Sequence, residues 1–250
     1  MDNNQNLEYF LNQISGNFTV AEHGVHPDIM QRFISISNKL NKYELGDDEI
    51  LPLKEKLLDP ETSVKVKEKV LAKLATIKNV IAFRIVEAYY QNCSEEEKPF
   101  SALAFNQSRH LIENQLTDNN AGLIITGLGG KGRRLRYFFM IVLTSDQELS
   151  NAIQRLLTAE VDEILKENNC EIETLNYFNS HLSVTALVPL EKNLANIIDD
   201  ITARCNELIN IFLKNFFVTN GFFPSEIMTN EIIDKLRKNK ESDNDQYDES

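Results

Sequence analysis

The hydrophobic pattern of this chain changes period near its middle, and that change limits the folds open to it. Up to residue 117, apolar side chains recur at three- and four-residue spacing, the repeat of an amphipathic helix. Leu7, Phe10, Leu11 and Ile14 form one such stripe, and Ile29, Phe33, Ile36 and Leu40 a second, with breaks at Gly16 and between Gly24 and Pro27. Ile50, Leu53, Leu57 and Leu58 form a third, closed by Asp59-Pro60. Ser63 is placed to cap the next helix, whose apolar side is Val66, Val70, Leu71 and Leu74. An apolar stretch from Val80 to Tyr89 follows, then a loop over Cys93–Pro99 and a helix carrying Leu103, Phe105, Leu111, Ile112 and Leu116.

Beyond residue 117 strand-like runs alternate with helices. Leu123–Thr126 is a short β-type run, and Leu135–Thr144 a long one rich in aromatic and β-branched residues. Ser145-Asp146-Gln147-Glu148 reads as a capping box opening a helix with the stripe Leu149, Ile153, Leu156, Leu157, Val161, Ile164 and Leu165. Glu171–Phe178 and His181–Val188 are two further strands, and a long helix runs from Leu194 to Phe212. Helix, strand, strand, helix, strand, strand, helix is solved most economically by an α+β sandwich. The fold expected is thus a helical region followed by an antiparallel four-stranded sheet with helices on one face. The order of elements resembles that of the secretion-chaperone-like fold and other small split α+β folds. The expected domains are a helical region at 1–117, the sandwich at 118–223, a C-terminal helix at 224–238 and a disordered acidic tail at 239–250.

The segment Leu51-Pro52-Leu53, Leu57-Leu58-Asp59-Pro60, Val64-Lys65 and Val70–Ala75 resembles a HEAT-type helical repeat. It has the leucine-rich first helix, the Asp-Pro turn and the Val-Lys opening of the second helix. Residues 80–116 are a candidate second copy. The resemblance implies stacked helix pairs over roughly residues 50–116.

Composition narrows the setting. At 250 residues with 42% hydrophobic and 26% charged content, the chain has the make-up of a soluble globular protein. No apolar run approaches the roughly 20 residues of a membrane span. The start Met1-Asp2-Asn3-Asn4-Gln5 lacks a signal peptide's basic and apolar regions. Cys93, Cys170 and Cys205 are odd in number and widely spaced, which disfavours a disulfide framework or a zinc site and fits a reducing cytoplasm. A net charge of -12 argues against broad attraction to nucleic acid or anionic membrane. No cofactor is expected.

One segment runs against that charge. Gly127-Leu128-Gly129-Gly130-Lys131-Gly132-Arg133-Arg134-Leu135-Arg136 holds four cations and no acidic residue, so the rest of the chain carries -16. Gly127, Gly129 and Gly132 satisfy GxGxxG after an expected strand. A dinucleotide site needs a helix to start at the last glycine, but Arg134–Leu143 reads as strand. No HRD or DFG segment supports a kinase, and no Gly-Lys-Ser/Thr a P-loop. What remains is a hairpin with positive-φ glycines, or an anion site where turn amides and cations converge. Alternation puts Arg134 and Arg136 on the open face of the strand, with Leu135, Tyr137 and Phe139 toward the helices.

His181-Leu182-Ser183-Val184 matches one half of the H-x-[S/T]-hydrophobic motif of two-histidine phosphoesterases. His23, His26 and His110 supply no second half. His23 and His26 have ligand-compatible spacing but no further donors nearby. The candidate site is therefore Gly129, Gly130, Lys131, Gly132, Arg133, Arg134, Arg136 and His181, with no catalytic or metal-binding residue assigned. The reading from sequence is a cytoplasmic, non-enzymatic interaction or regulatory protein. Its basic hairpin would contact an acidic protein segment or a locally bound nucleic-acid backbone. The alternative is a protein or enzyme that binds a phosphorylated small molecule or nucleotide at the same hairpin.

Overall fold

The computed structural model describes residues 18–40, 45–118 and 121–245. The expected stripe at Leu7–Ile14 and the last residues of the expected tail lie outside them. The described residues fall into two compact units, one running to Arg133 and one starting at Arg134.

The first unit is built from five helices: α1 (Pro27–Lys39), α2 (Asp47–Leu58), α3 (Val64–Ala75), α4 (Val80–Asn92) and α5 (Lys98–Thr117). Their apolar stripes meet in one core containing Phe33, Ile50, Leu57, Leu74, Val86 and Leu103. Local chemistry sets the ends. Pro27 occupies the first turn of α1, where its missing N–H costs nothing, and the His26 side chain accepts from Asp28 N at 3.3 Å. Asn79 caps α4 by accepting from Ile81 N at 2.7 Å and Ala82 N at 3.2 Å. Its amide also donates to Asp47 Oδ1 at 3.0 Å, which ties the start of α4 to the start of α2.

Three short strands complete this unit: β1 (Phe18–Val20), β2 (Gly122–Ile124) and β3 (Gly130–Lys131). β1 and β2 pair in parallel, with Thr19 opposite Leu123. The Leu123–Thr126 run therefore does not join the large sheet, a correction to the sequence reading. Its partner lies a hundred residues upstream, beyond the reach of local pattern.

The second unit is α+β, as expected. Its elements run β4 (Arg134–Leu143), α6 (Asn151–Glu167), β5 (Glu171–Tyr177), β6 (His181–Pro189), α7 (Leu194–Leu208), β7 (Phe212–Thr219) and α8 (Glu226–Asp245). The four strands form an antiparallel sheet in the order β5-β6-β4-β7. From β4 to β7 this is the βαββαβ topology of a ferredoxin-like fold. Helices α6 and α7 bury Leu157, Val161, Ile164, Ile197, Ile198 and Ile201 against one face of the sheet, which presents Phe139, Ile141, Leu182 and Val184. Helix α8 covers part of the other face, with Ile233 and Leu236 on Val142 and Leu213. Arg237 of α8 donates to Leu143 O at 3.1 Å and to Asp146 Oδ1 at 2.7 Å.

Three boundaries differ from the sequence reading. Helix α6 starts at Asn151, capped by Ser150 rather than by the Ser145–Glu148 box. Helix α7 stops at Leu208, because Asn206 turns the chain: its Oδ1 accepts from Phe212 N at 2.9 Å and its amide donates to Phe212 O at 3.0 Å. The residues after that turn form β7, the fourth strand of the sheet. Helix α8 continues past residue 238 to Asp245.

The double use of Asn79 generates a prediction. Asn79→Ala should lower the stability of the helical unit by about 1–2 kcal/mol in urea unfolding, the usual cost of a lost N-cap. Asn79→Asp keeps the cap acceptor but sets a second carboxylate beside Asp47, so it should recover only part of that loss.

Candidate functional site

The glycine-rich segment is a structural clamp. A Cβ on Gly24 would stand 2.0 Å from Gly127 O, and one on Gly129 would stand 2.5 Å from Glu22 O. Gly129 also has φ +69°, a left-handed conformation that side chains disfavour. The turn is held by Val25 N donating to Thr126 O at 3.1 Å and by Thr126 Oγ1 donating to Gly129 O at 3.2 Å. Gly129 and Gly130 are both buried, and the Gly129 amide donates to Thr126 O at 3.3 Å. An anion cradle needs amides that face outward, so these two glycines do not supply one. Gly132, with φ +62°, has open space around it, and Lys131 and Arg133 beside it are exposed.

Arg134 and Arg136 do project from the open face of β4, and Leu135 and Phe139 are buried on the other. Both cations are already engaged. Arg134 Nη1 reaches Glu171 Oε2 at 3.3 Å. Arg136 makes a two-point fork to Glu173, from Nε at 2.5 Å and Nη2 at 2.7 Å. His181 does not converge with them. Arg136 faces Leu187 across the sheet, whereas His181 faces Val142, six positions away. At ~3.4 Å per strand residue that is roughly 20 Å. His181 is buried, stacked on Phe178 at 4.5 Å, with Nδ1 3.0 Å from Ser180 Oγ. Burial holds its pKa below the ordinary histidine value.

The other candidates have structural partners. His110 Nε2 lies 2.8 Å from Ala121 O, to which the Asn114 amide also donates at 3.0 Å. Burial pushes the thiols of Cys170 and Cys205 up to about 11, which leaves them unreactive at neutral pH. Among the described residues, no group of three His, Cys, Asp or Glu side chains is placed to hold a metal ion. Nor is any described helix long and apolar enough to cross a membrane.

A better-formed site lies in the helical unit. A cleft of about 670 Å³ opens between α2 and α4, with Lys67 of α3 contributing to its lining. Leu51, Leu57 and Leu58 line it from α2, and Val80, Ile81, Ile85 and Ala88 from α4. Leu51 (51%), Leu58 (59%) and Val80 (57%) are unusually exposed for side chains of their kind. The polar lining gathers around Glu97. Its Oε1 accepts from Tyr89 Oη at 2.8 Å and lies 3.4 Å from Lys67 Nζ, and its Oε2 accepts from Ser94 Oγ at 2.9 Å. Burial alone would raise the Glu97 pKa. The hydrogen bonds from Tyr89 and Ser94 and the charge of Lys67 outweigh it, so the carboxyl sits below its ordinary value. Burial, followed by the hydrogen bond and charge of Glu97, holds the Tyr89 phenol well above its own. Lys67, Tyr89 and Glu97 also line a second cavity of about 250 Å³ that reaches Arg32 and the buried Glu68. Sequence reading missed this site. Its signal was a second apolar stripe on α2 and α4, more than one core can bury.

No protein-family model matches this chain, and no curated protein matches it. Solved structures similar in part include a putative transposase from Deinococcus radiodurans R1, at 12% identity and TM-score 0.34, covering 42% of this chain and 90% of that one. Another is a REP-associated tyrosine transposase bound to a REP hairpin, at 13% identity and TM-score 0.32, covering 41% of this chain and 64% of that one. At these scores the likeness carries no inference about activity. The similar structures are transposases, and the reading of a non-enzymatic interaction or regulatory protein acting through the basic hairpin is withdrawn. The hairpin geometry gives the physical reason. Its buried glycines clamp backbone, two of its four cations are paired within the sheet, and His181 is remote. The phosphorylated-ligand reading at the same hairpin is withdrawn with it.

The clamp makes a prediction that separates two glycines of similar φ. Gly129→Ala combines strain with a backbone clash and should lower stability by more than about 2 kcal/mol. Gly132→Ala meets only the strain and should cost about 1 kcal/mol. Equal, small losses in thermal unfolding would contradict the clamp.

Proposed function

We propose that this chain is a ligand-binding protein whose helical unit takes a small, largely apolar molecule in the cleft between α2 and α4. The observation that carries the reading is the cleft itself. Its volume lies within the range of about 300–1,000 Å³ usual for small-molecule sites. Its apolar side chains stand in water, and its polar lining holds a tyrosine and a carboxylate with displaced pKa values. Covering Leu51, Leu58, Val80 and Ile81 removes apolar surface from water, which supplies the driving force. The Tyr89–Glu97–Lys67 network fixes the α4 wall, so less ordering is needed on binding. The HEAT-type reading of residues 50–116 belongs to the same proposal, with α2 and α3 as one pair and α4 and α5 as the other.

The test uses N-phenyl-1-naphthylamine, an uncharged dye that fluoresces in apolar surroundings. It should bind the intact protein saturably at one site. Ala88 is exposed in the cleft wall, so Ala88→Trp fills the space without entering the core. That variant should weaken dye binding at least tenfold with its melting temperature unchanged within a few degrees. Undiminished binding by a folded Ala88→Trp protein would contradict the reading.

A nucleic-acid partner is a second reading with one observation behind it. Lys131 and Arg133 are exposed and make no ion pair among the described residues. A labelled DNA hairpin titrated at several salt concentrations tests it. If both cations contact phosphates, Lys131→Gln with Arg133→Gln should reduce the slope of log K against log salt by about 2. An unchanged slope would exclude contact through these residues.

A further inference from the structure

The charges around the cleft narrow the ligand further, on the basis of the ligand-binding reading above. Four ionisable side chains other than the tyrosine and cysteine line it: Lys54, Lys67, Arg84 and Glu97. Three are cationic, in a chain whose net charge is -12. Glu97 is the lone carboxylate among them, and its oxygens are taken by Tyr89, Ser94 and Lys67. Its charge is therefore already balanced by Lys67, and Lys67 is spent in balancing it.

Lys54 and Arg84 remain. Lys54 follows Leu51 by three residues and precedes Leu58 by four, so it shares their face of α2. Arg84 follows Val80 by four residues and precedes Ala88 by four, so it shares theirs on α4. Both side chains are exposed and line opposite walls of the cleft. Lys54 has no ion pair among the described residues. Arg84 pairs with Glu87 at 2.6 Å, one turn along the same helix, and its guanidinium lies 5.5 Å from the Phe83 ring; its own side chain is 68% exposed and that of Glu87 25%. The guanidinium itself stays open to solvent, so an incoming anion can share it with Glu87.

We infer that the ligand of this cleft is an amphiphile with an anionic head group, a carboxylate or a phosphate monoester, held at the rim between Lys54 and Arg84 with its apolar part against the leucine and isoleucine walls. Guanidinium and ammonium groups from two sides match the oxygens of such a head. An uncharged amphiphile would forgo both contacts, and a cationic one would meet two like charges.

Displacement of bound N-phenyl-1-naphthylamine from the full chain tests this. The competitors are dodecanoate, dodecyl phosphate, dodecanol and dodecyltrimethylammonium, each below its micellar concentration. Dodecanoate or dodecyl phosphate should displace the dye at a concentration at least tenfold below that of dodecanol, with dodecyltrimethylammonium weakest. The ratio of the two anions tells carboxylate from phosphate. In Lys54→Gln with Arg84→Gln, the ratio of dodecanoate to dodecanol should fall to about one. Equal displacement by dodecanol and dodecanoate in the unaltered protein would overturn the head-group assignment while leaving the cleft a binding site. No saturable dye binding at all would overturn both.

Discussion

Glu97 is the fixed point of the helical unit. It stands just ahead of α5 and takes hydrogen bonds from Tyr89 of α4 and from Ser94 of the connecting loop. It also pairs with Lys67 of α3. A carboxylate this far from solvent would be costly if left alone, and the three partners offset that cost. A satisfied, half-buried network of this type fixes position more than it adds stability. It sets one end of the cleft between α2 and α4, as the Asn79–Asp47 bond sets the start of those two helices. The apolar walls between these ties are held apart rather than collapsed on one another.

The same contrast between holding and binding runs through the glycine-rich segment. Gly24 and Gly129 are small because the backbone of Gly127–Leu128 crowds the first and that of Glu22–Gly24 the second. Arg134 and Arg136 are cationic because β5 places Glu171 and Glu173 beside them. Gly129, Arg134 and Arg136, which suggested an anion site in the sequence, are thus accounted for by contacts inside their own units. The cations left over are Lys131 and Arg133 at the open turn.

The period change toward the middle of the sequence was a sound guide to fold class, since α+β with an antiparallel four-stranded sheet is what forms. Sheet membership was harder to read. Phe212, Leu213, Phe216 and Phe217 repeat with helical spacing, so the pattern continues the helix before them; only the side chain of Asn206, bonded to the backbone at Phe212, turns that segment into β7. Leu123–Thr126 has the residue types of a sheet strand, but its partner is Phe18–Val20. Non-local pairing of that sort leaves no trace in local periodicity. The cleft was partly visible. Leu57 and Leu58 stand out in the sequence as apolar neighbours on one helix, yet nothing local says that Leu57 is wholly buried while Leu58 faces an open space. Lys54 and Arg84 belong to no motif in the sequence, because their meaning comes from the wall opposite.

The central claim is that the cleft between α2 and α4 holds the ligand, and methyl NMR locates bound ligand most directly. With leucine, valine and isoleucine methyl groups labelled in the full chain, dodecanoate would be added stepwise. The account expects shifts at Leu51, Leu58, Val80, Ile81 and Ile85, with the methyls of the βαββαβ core, such as Val161 and Ile198, unmoved. Shifts confined to that core, or to Leu128 and Leu135 flanking the basic turn, would contradict it.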